Sequence, residues 1–146
     1  MLETLTEKLT ALLNSTNLFA AIYSFESNEF KEDPVVTITP SDNESDYRTT
    51  SENRRVYAFN VRLFVQRTEP RTDTETERIL RGLVDRAIDT FDKNYTLSGL
   101  VVPTGYTMIM VEAAPSNWFY MEREVVYRVA EIKLKIHMDI NVNLIS

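Results

Sequence analysis

TDTETERILRGLVDRAIDTFDKN, residues Thr72–Asn94, is the stretch whose pattern decides the fold. Its apolar residues Ile79, Leu80, Leu83, Val84, Ala87, Ile88 and Phe91 recur at helical spacing and form one broad face. Thr72 and Glu75 read Thr-x-x-Glu, a capping box that satisfies two orphan N–H groups. Asp73, Glu75 and Glu77 place negative charge at the positive end of the helix dipole. So one-sided a helix requires an apolar bed, and the residues just before it supply one. From Val56 to Arg67, Tyr57, Phe59, Val61, Leu63 and Val65 alternate with Ala58, Asn60, Arg62, Phe64 and Gln66. That period of two predicts a strand with one apolar face, joined to the helix through a turn at Thr68 to Arg71.

Working outward, Met1 to Asn14 carries Leu2, Leu5, Leu9, Leu12 and Leu13 on one side and reads as a short amphipathic helix. Leu18 to Phe25 and Val35 to Thr39 read as strands, the second closed by Pro40. Ser41 to Arg55 is polar, with Tyr47 its only bulky apolar residue. Such a segment buries too little surface to offset its ordering entropy and predicts a mobile loop or extended arm. Beyond the main helix, Tyr106 to Ala113 is strand-like. Ala114-Pro115-Ser116-Asn117 reads as a break, and the aromatic run Trp118-Phe119-Tyr120-Met121 follows. Glu124 to Val142 closes the chain as a long strand. Ala130, Ile132, Leu134, Ile136, Met138 and Ile140 face one way; Glu131, Lys133, Lys135, His137 and Asp139 form a solvent face. The sum is a single α+β domain over residues 1–146. A mainly antiparallel sheet has two helices packed on one face and a long arm at 41–55.

The totals narrow the function. The 146 residues fit one core, and 22 acidic against 16 basic side chains leave a net charge of −6. Duplex binding calls for a basic face, so this balance argues against it. There is no cysteine, which removes disulfides and thiolate metal sites. The N-terminal region lacks a basic start followed by a long apolar run, so neither a signal peptide nor a membrane span is expected. With three glycines and no Gly-x-x-x-x-Gly-Lys, a phosphate-cradling loop is not expected, nor is any cofactor.

Catalytic patterns are sparse. His137 is the sole histidine and reads as a bystander on a polar strand face. Glu131-Ile132-Lys133 has the acid-x-Lys spacing with which metal nucleases activate water, given a further acid such as Glu112 or Glu122. The plainer reading places Glu131, Lys133 and Lys135 on the wet face of an alternating strand. On the main helix, Glu77/Arg81, Arg81/Asp85 and Asp89/Lys93 are surface pairs at i, i+4. Trp118 to Met121 reads either as wholly core or as divided between core and an interface, since aromatics left outside favour interface centres.

Taken together, the element order resembles that of phage tail-terminator, or tail-completion, proteins. The likeness rests on the opening helix, the Asp33-Pro34-Val35-Val36 strand entry, the polar arm, and the Tyr57–Arg67 strand running into the acidic-capped helix. Tyr95-Thr96-Leu97-Ser98-Gly99 and the closing strand Arg128–Ile140 complete it. The resemblance implies a virion protein, made in the host cytoplasm. It would form a homohexameric ring that caps the head-proximal end of a tail tube and stops its polymerisation. It also implies a joint to a neck or head connector, with DNA crossing the lumen unbound. An acidic subunit suits a channel that DNA must traverse without adhering. The contacts expected are Asp42, Glu44, Asp46, Tyr47, Arg48 and Arg54 in the arm, then Trp118 and Tyr120. The alternatives are another head–tail connector, such as a stopper or adaptor; a small metal-dependent nuclease; or an acidic DNA-mimic inhibitor.

Overall fold

The computed structural model describes residues 1–27, 30–68 and 70–145. Its elements in order are α1 (Leu2–Ser15), β1 (Ala21–Tyr23), β2 (Val35–Pro40), β3 (Glu44–Tyr47), β4 (Glu52–Gln66), α2 (Asp73–Lys93), β5 (Tyr106–Glu122) and β6 (Val126–Asn141), with a final 3-10 turn at Val142–Leu144. The strands form one mostly antiparallel sheet in the order β1-β2-β4-β6-β5, with β3 also paired to β4. Among the described residues only β1 and β2 run parallel. The result is a small α+β domain.

The two longest alternating segments pair with each other. β4 and β6 are in register from Glu52 opposite Asn141 to Gln66 opposite Tyr127. Phe59 faces Leu134, Val61 faces Ile132 and Leu63 faces Ala130. These side chains are buried in one cluster with Leu5, Leu9 and Leu13 of α1 and Leu80, Val84, Ala87 and Phe91 of α2. The α2 N-terminus is capped as its sequence predicts in one respect: the Thr72 hydroxyl accepts from the Glu75 N–H at 3.1 Å. Among the described residues no return bond from the Glu75 side chain is formed. Ile79 departs from the predicted apolar face and is 38% exposed, while Thr76 is buried. One residue turns a helix by about 100°, which swings Ile79 away from the stripe centred on Leu80 and Leu83.

Three boundaries differ from expectation. First, 41–55 is not a loop throughout, because β3 and the first rungs of β4 lie within it. The full length of β6 holds β4 straight, so the backbone of β3 finds a ready ladder that its side chains alone would not justify. Second, the predicted break at Ala114–Asn117 lies inside β5, which bends through a bulge between Pro115 and Trp118. The Val111 N–H bonds to the Tyr95 carbonyl at 2.8 Å, so Val111 points its peptide groups outward. Pro115, four residues on, alternates to the same outer edge, where a missing N–H breaks no rung. Third, the strand expected from Leu18 to Phe25 is shorter, Ala21–Tyr23. Arg71 N–H does bond the Thr68 carbonyl, but Glu69 of the predicted turn lies outside the described residues.

The second face of the sheet is not wholly wet. Phe30, Val35, Phe64, Tyr127 and Val129 form a second buried cluster there. Phe30 reaches in from the β1–β2 connection and packs on Tyr23, Phe64 and Tyr127 at ring separations of 4.8–5.8 Å. Asp33 ties that connection to β4, accepting from the Gln66 N–H at 2.9 Å and from Arg71 at 3.1 Å.

Two adjacent positions of α2, one inside the buried stripe and one outside it, make a direct test. Leu80→Ala removes a fully buried side chain and should cost about 2–5 kcal/mol in urea unfolding. Ile79→Ala, one position away, should cost less than about 1 kcal/mol. Equal costs would contradict this orientation of the helix.

Candidate functional site

The β3–β4 hairpin gathers six of the predicted contact residues. Glu44 to Tyr47 pairs with Val56 to Asn53, and the Ser45 hydroxyl donates to Asn53 Oδ1 at 2.9 Å. Between β2 and β3 the chain steps off the ladder. There Ser41 N–H bonds the Ala58 carbonyl, and Asn43 Oδ1 replaces a backbone acceptor for Ala58 N–H at 3.0 Å. The turn is tied by Arg48 N–H to the Glu52 carbonyl and by Thr49 Oγ1, which accepts from the N–H groups of Ser51 and Glu52. Asp42, Glu44, Asp46, Tyr47 and Arg48 are all exposed, Tyr47 to 61%. Arg54 differs, since its Nε holds Asp139 Oδ1 at 2.5 Å across the ladder. Glu44 also lies 3.8 Å from Lys135, which reaches over Ala58. The hairpin is therefore an ordered ribbon carrying free polar groups and one projecting tyrosine.

Trp118 and Tyr120 stand at the other end of the ribbon. The bulge before them fixes their direction: Trp118 faces Ala130 and Tyr120 faces Arg128, on the helix side of the sheet. Phe119 and Met121 turn to the opposite side and pack on the second cluster. Of the two readings of the aromatic run, the divided one is thus met. Trp118 and Tyr120 remain 38% and 49% exposed. Arg128 lies over the Tyr120 ring at 4.6 Å and over Trp118 at 6.0 Å, and Arg67 covers Tyr120 from 5.7 Å. Both guanidinium groups are carboxylate-bound, Arg128 to Glu77 and Arg67 to Asp73 through two bonds. Glu77 was read as a partner for Arg81 and keeps that contact only at 3.8 Å. Arg81/Asp85 and Asp89/Lys93 do not close to ion-pair distance among the described residues.

The acid-x-Lys pair corrects the expectation of a solvent face. Glu131 is 4% exposed. Its carboxylate accepts from Arg62 Nε at 2.9 Å, from the Ser116 hydroxyl at 3.0 Å and from Asn117 at 3.4 Å, with Lys133 Nζ 3.5 Å away. The bulge in β5 is what aims Ser116 and Asn117 at it, and nothing in the period of β6 could announce that. Burial pushes the Glu131 carboxyl up, but hydrogen bonds from Arg62 and Ser116, with the charges of Lys133 and Arg62, outweigh it. The group stays below the ordinary carboxylate value. The proposed companion acids stand elsewhere. Glu112 faces Lys135, about 13 Å along the ladder from Glu131 at ~3.3 Å per residue. Glu122 pairs with Val126 and lies on the other face. Glu112 instead meets His137, with Oε1 2.7 Å from Nε2. Among the described residues no three acidic or histidine side chains converge. Compared with known proteins, the chain matches no family model and no curated protein.

Glu131 acts here as the fastener of the bulge. Glu131→Ala leaves Ser116 and Arg62 without their shared acceptor and should cost about 1–3 kcal/mol. Because its folded value is depressed, its contribution is complete above about pH 4.3 and is lost as pH falls through the folded value. Acid unfolding followed by tyrosine and tryptophan fluorescence should show this component in the native chain and not in Glu131→Ala. An unchanged acid limb would contradict it.

Proposed function

We propose that this chain is a structural virion subunit. It assembles with copies of itself into a ring that caps the head-proximal end of a phage tail tube and joins it to the neck. The observation that carries this reading is the exposed β3–β4 hairpin, whose β4 strand is backed by β6 and which carries Tyr47 and Arg48 beside its turn. An ordered ribbon bearing one projecting aromatic among polar groups suits insertion against a neighbouring subunit or the end of a tube, since little ordering entropy remains to be lost on contact. The half-exposed Trp118 and Tyr120 at the far end add the residue types that dominate interface energetics. Contacts at two different surfaces of one subunit are heterologous, and heterologous contacts close into rings when the rotation permits. The net charge of −6 suits a lumen that DNA crosses without adhering. The DNA would be a passenger, and no small molecule or membrane enters the role.

Mixing the purified chain with tail-tube subunit tests the reading. The chain should arrest tube growth at sub-stoichiometric amounts, seen as shorter tubes in negative-stain images. Tyr47→Ala together with Arg48→Ala should keep the native circular dichroism spectrum and reduce capping at least tenfold. Full capping by the double variant would remove the hairpin from the interface. Binding to a head-side connector with none to the tube would favour a stopper or adaptor instead.

A further inference from the structure

The sheet is open along β5 on one side and along β1 and β3 on the other, and among the described residues no strand covers the outer side of any of them. Most of β5 is defended against pairing. Tyr95 occupies the Val111 N–H, Pro115 removes a donor, and bulges interrupt the strand near Ile109 and at Ser116-Asn117. Trp118 to Met121 has none of these devices, nor the charged residues that usually guard an edge. β1, Ala21–Tyr23, is equally bare of charge and proline.

The strand register places these two bare edges level with each other. One row runs Ala21, Val35, Phe64, Val129, Phe119, and the next runs Ile22, Val36, Leu63, Ala130, Trp118. Both rows cross the sheet without a step along the strands. Following the pairings, β1 runs opposite in direction to β5, so the junction of two copies would be antiparallel. The side chains match as well. The second cluster extends from Ala21 and Tyr23 at one edge to Phe119 and Met121 at the other. Phe25 stands beside Tyr23, 5.4 Å between ring centres and 57% exposed.

We infer that the β1 edge of a second copy docks on the Trp118–Met121 edge of β5, continuing the sheet from subunit to subunit. Ala21 of each copy lies beside Phe119 of its neighbour and Ile22 beside Trp118. The junction joins the aromatic clusters of adjacent copies and covers Phe25 and Trp118. The contact is heterologous, and its repetition closes into a ring when the rotation between copies permits. This deepens the preceding section and rests on its reading that the chain assembles with itself.

The chain has no cysteine, which makes cross-linking a clean test. Within one copy, positions 21 and 119 are four strand spacings apart, about 19 Å at ~4.8 Å each, whereas a disulfide needs Cα atoms within about 7 Å. Ala21→Cys combined with Phe119→Cys should therefore give, on mild oxidation, a non-reducing gel ladder that climbs past the dimer and stops at the ring number. Each single cysteine should give no ladder. Ile22→Cys with Trp118→Cys probes the adjacent row, in case the first pair folds poorly or its sulfurs do not align. No ladder from either folded pair, with the native chain sedimenting as a multimer, overturns the edge contact and leaves self-assembly standing. A native chain that stays monomeric at tens of micromolar overturns both.

Discussion

The pairing of β4 with β6 is the constraint on which the rest depends. Two strands of 15 and 16 residues run side by side with no slip. A shift of β6 by one residue would turn Ile132, Leu134 and Ile136 away from the helices. The register is therefore held by the whole apolar core and by cross-strand ion pairs on the other face, Arg62 with Glu131 and Arg54 with Asp139. Everything of functional interest is carried on this ribbon. One end extends into the β3–β4 hairpin, the other positions Trp118 and Tyr120, and its flanks present β1 and β5.

The ribbon also explains how a polar segment becomes ordered. Glu44 to Tyr47 has little to bury, and by composition alone it should remain mobile. A strand whose other side is already fixed presents its N–H and C=O groups at no further entropic cost, and β3 takes them up. Asn43 bridges the one place where β2 and β3 part, its side-chain oxygen serving Ala58 N–H. Order and exposure then coexist, as the proposed assembly with other copies requires.

Much of this was legible in the sequence where a residue's role follows from its own period. α2 announced itself through its apolar stripe and Thr72, and β4 and β6 through strict alternation. The features that were not legible depend on a second segment far away in the chain. Glu131 looks solvent-facing in β6, and only the bulge of β5 brings Ser116 and Asn117 over it. Phe64 looks like a lapse in a polar face until Phe30 folds onto it from the β1–β2 connection. Pro115 reads as a strand break because its sequence does not say that its nitrogen faces an open edge. Of the candidate contacts, the exposure of Tyr47, Trp118 and Tyr120 followed from composition and alternation, whereas the capture of Arg54 by Asp139 required knowledge of the β4–β6 register.

Geometry rather than reactivity is the contribution proposed for this chain, and one measurement addresses that most directly. Electron micrographs of phage particles assembled without it should show tubes of uncontrolled length, separate from DNA-filled capsids. Tubes of normal length joined to filled capsids would contradict the account.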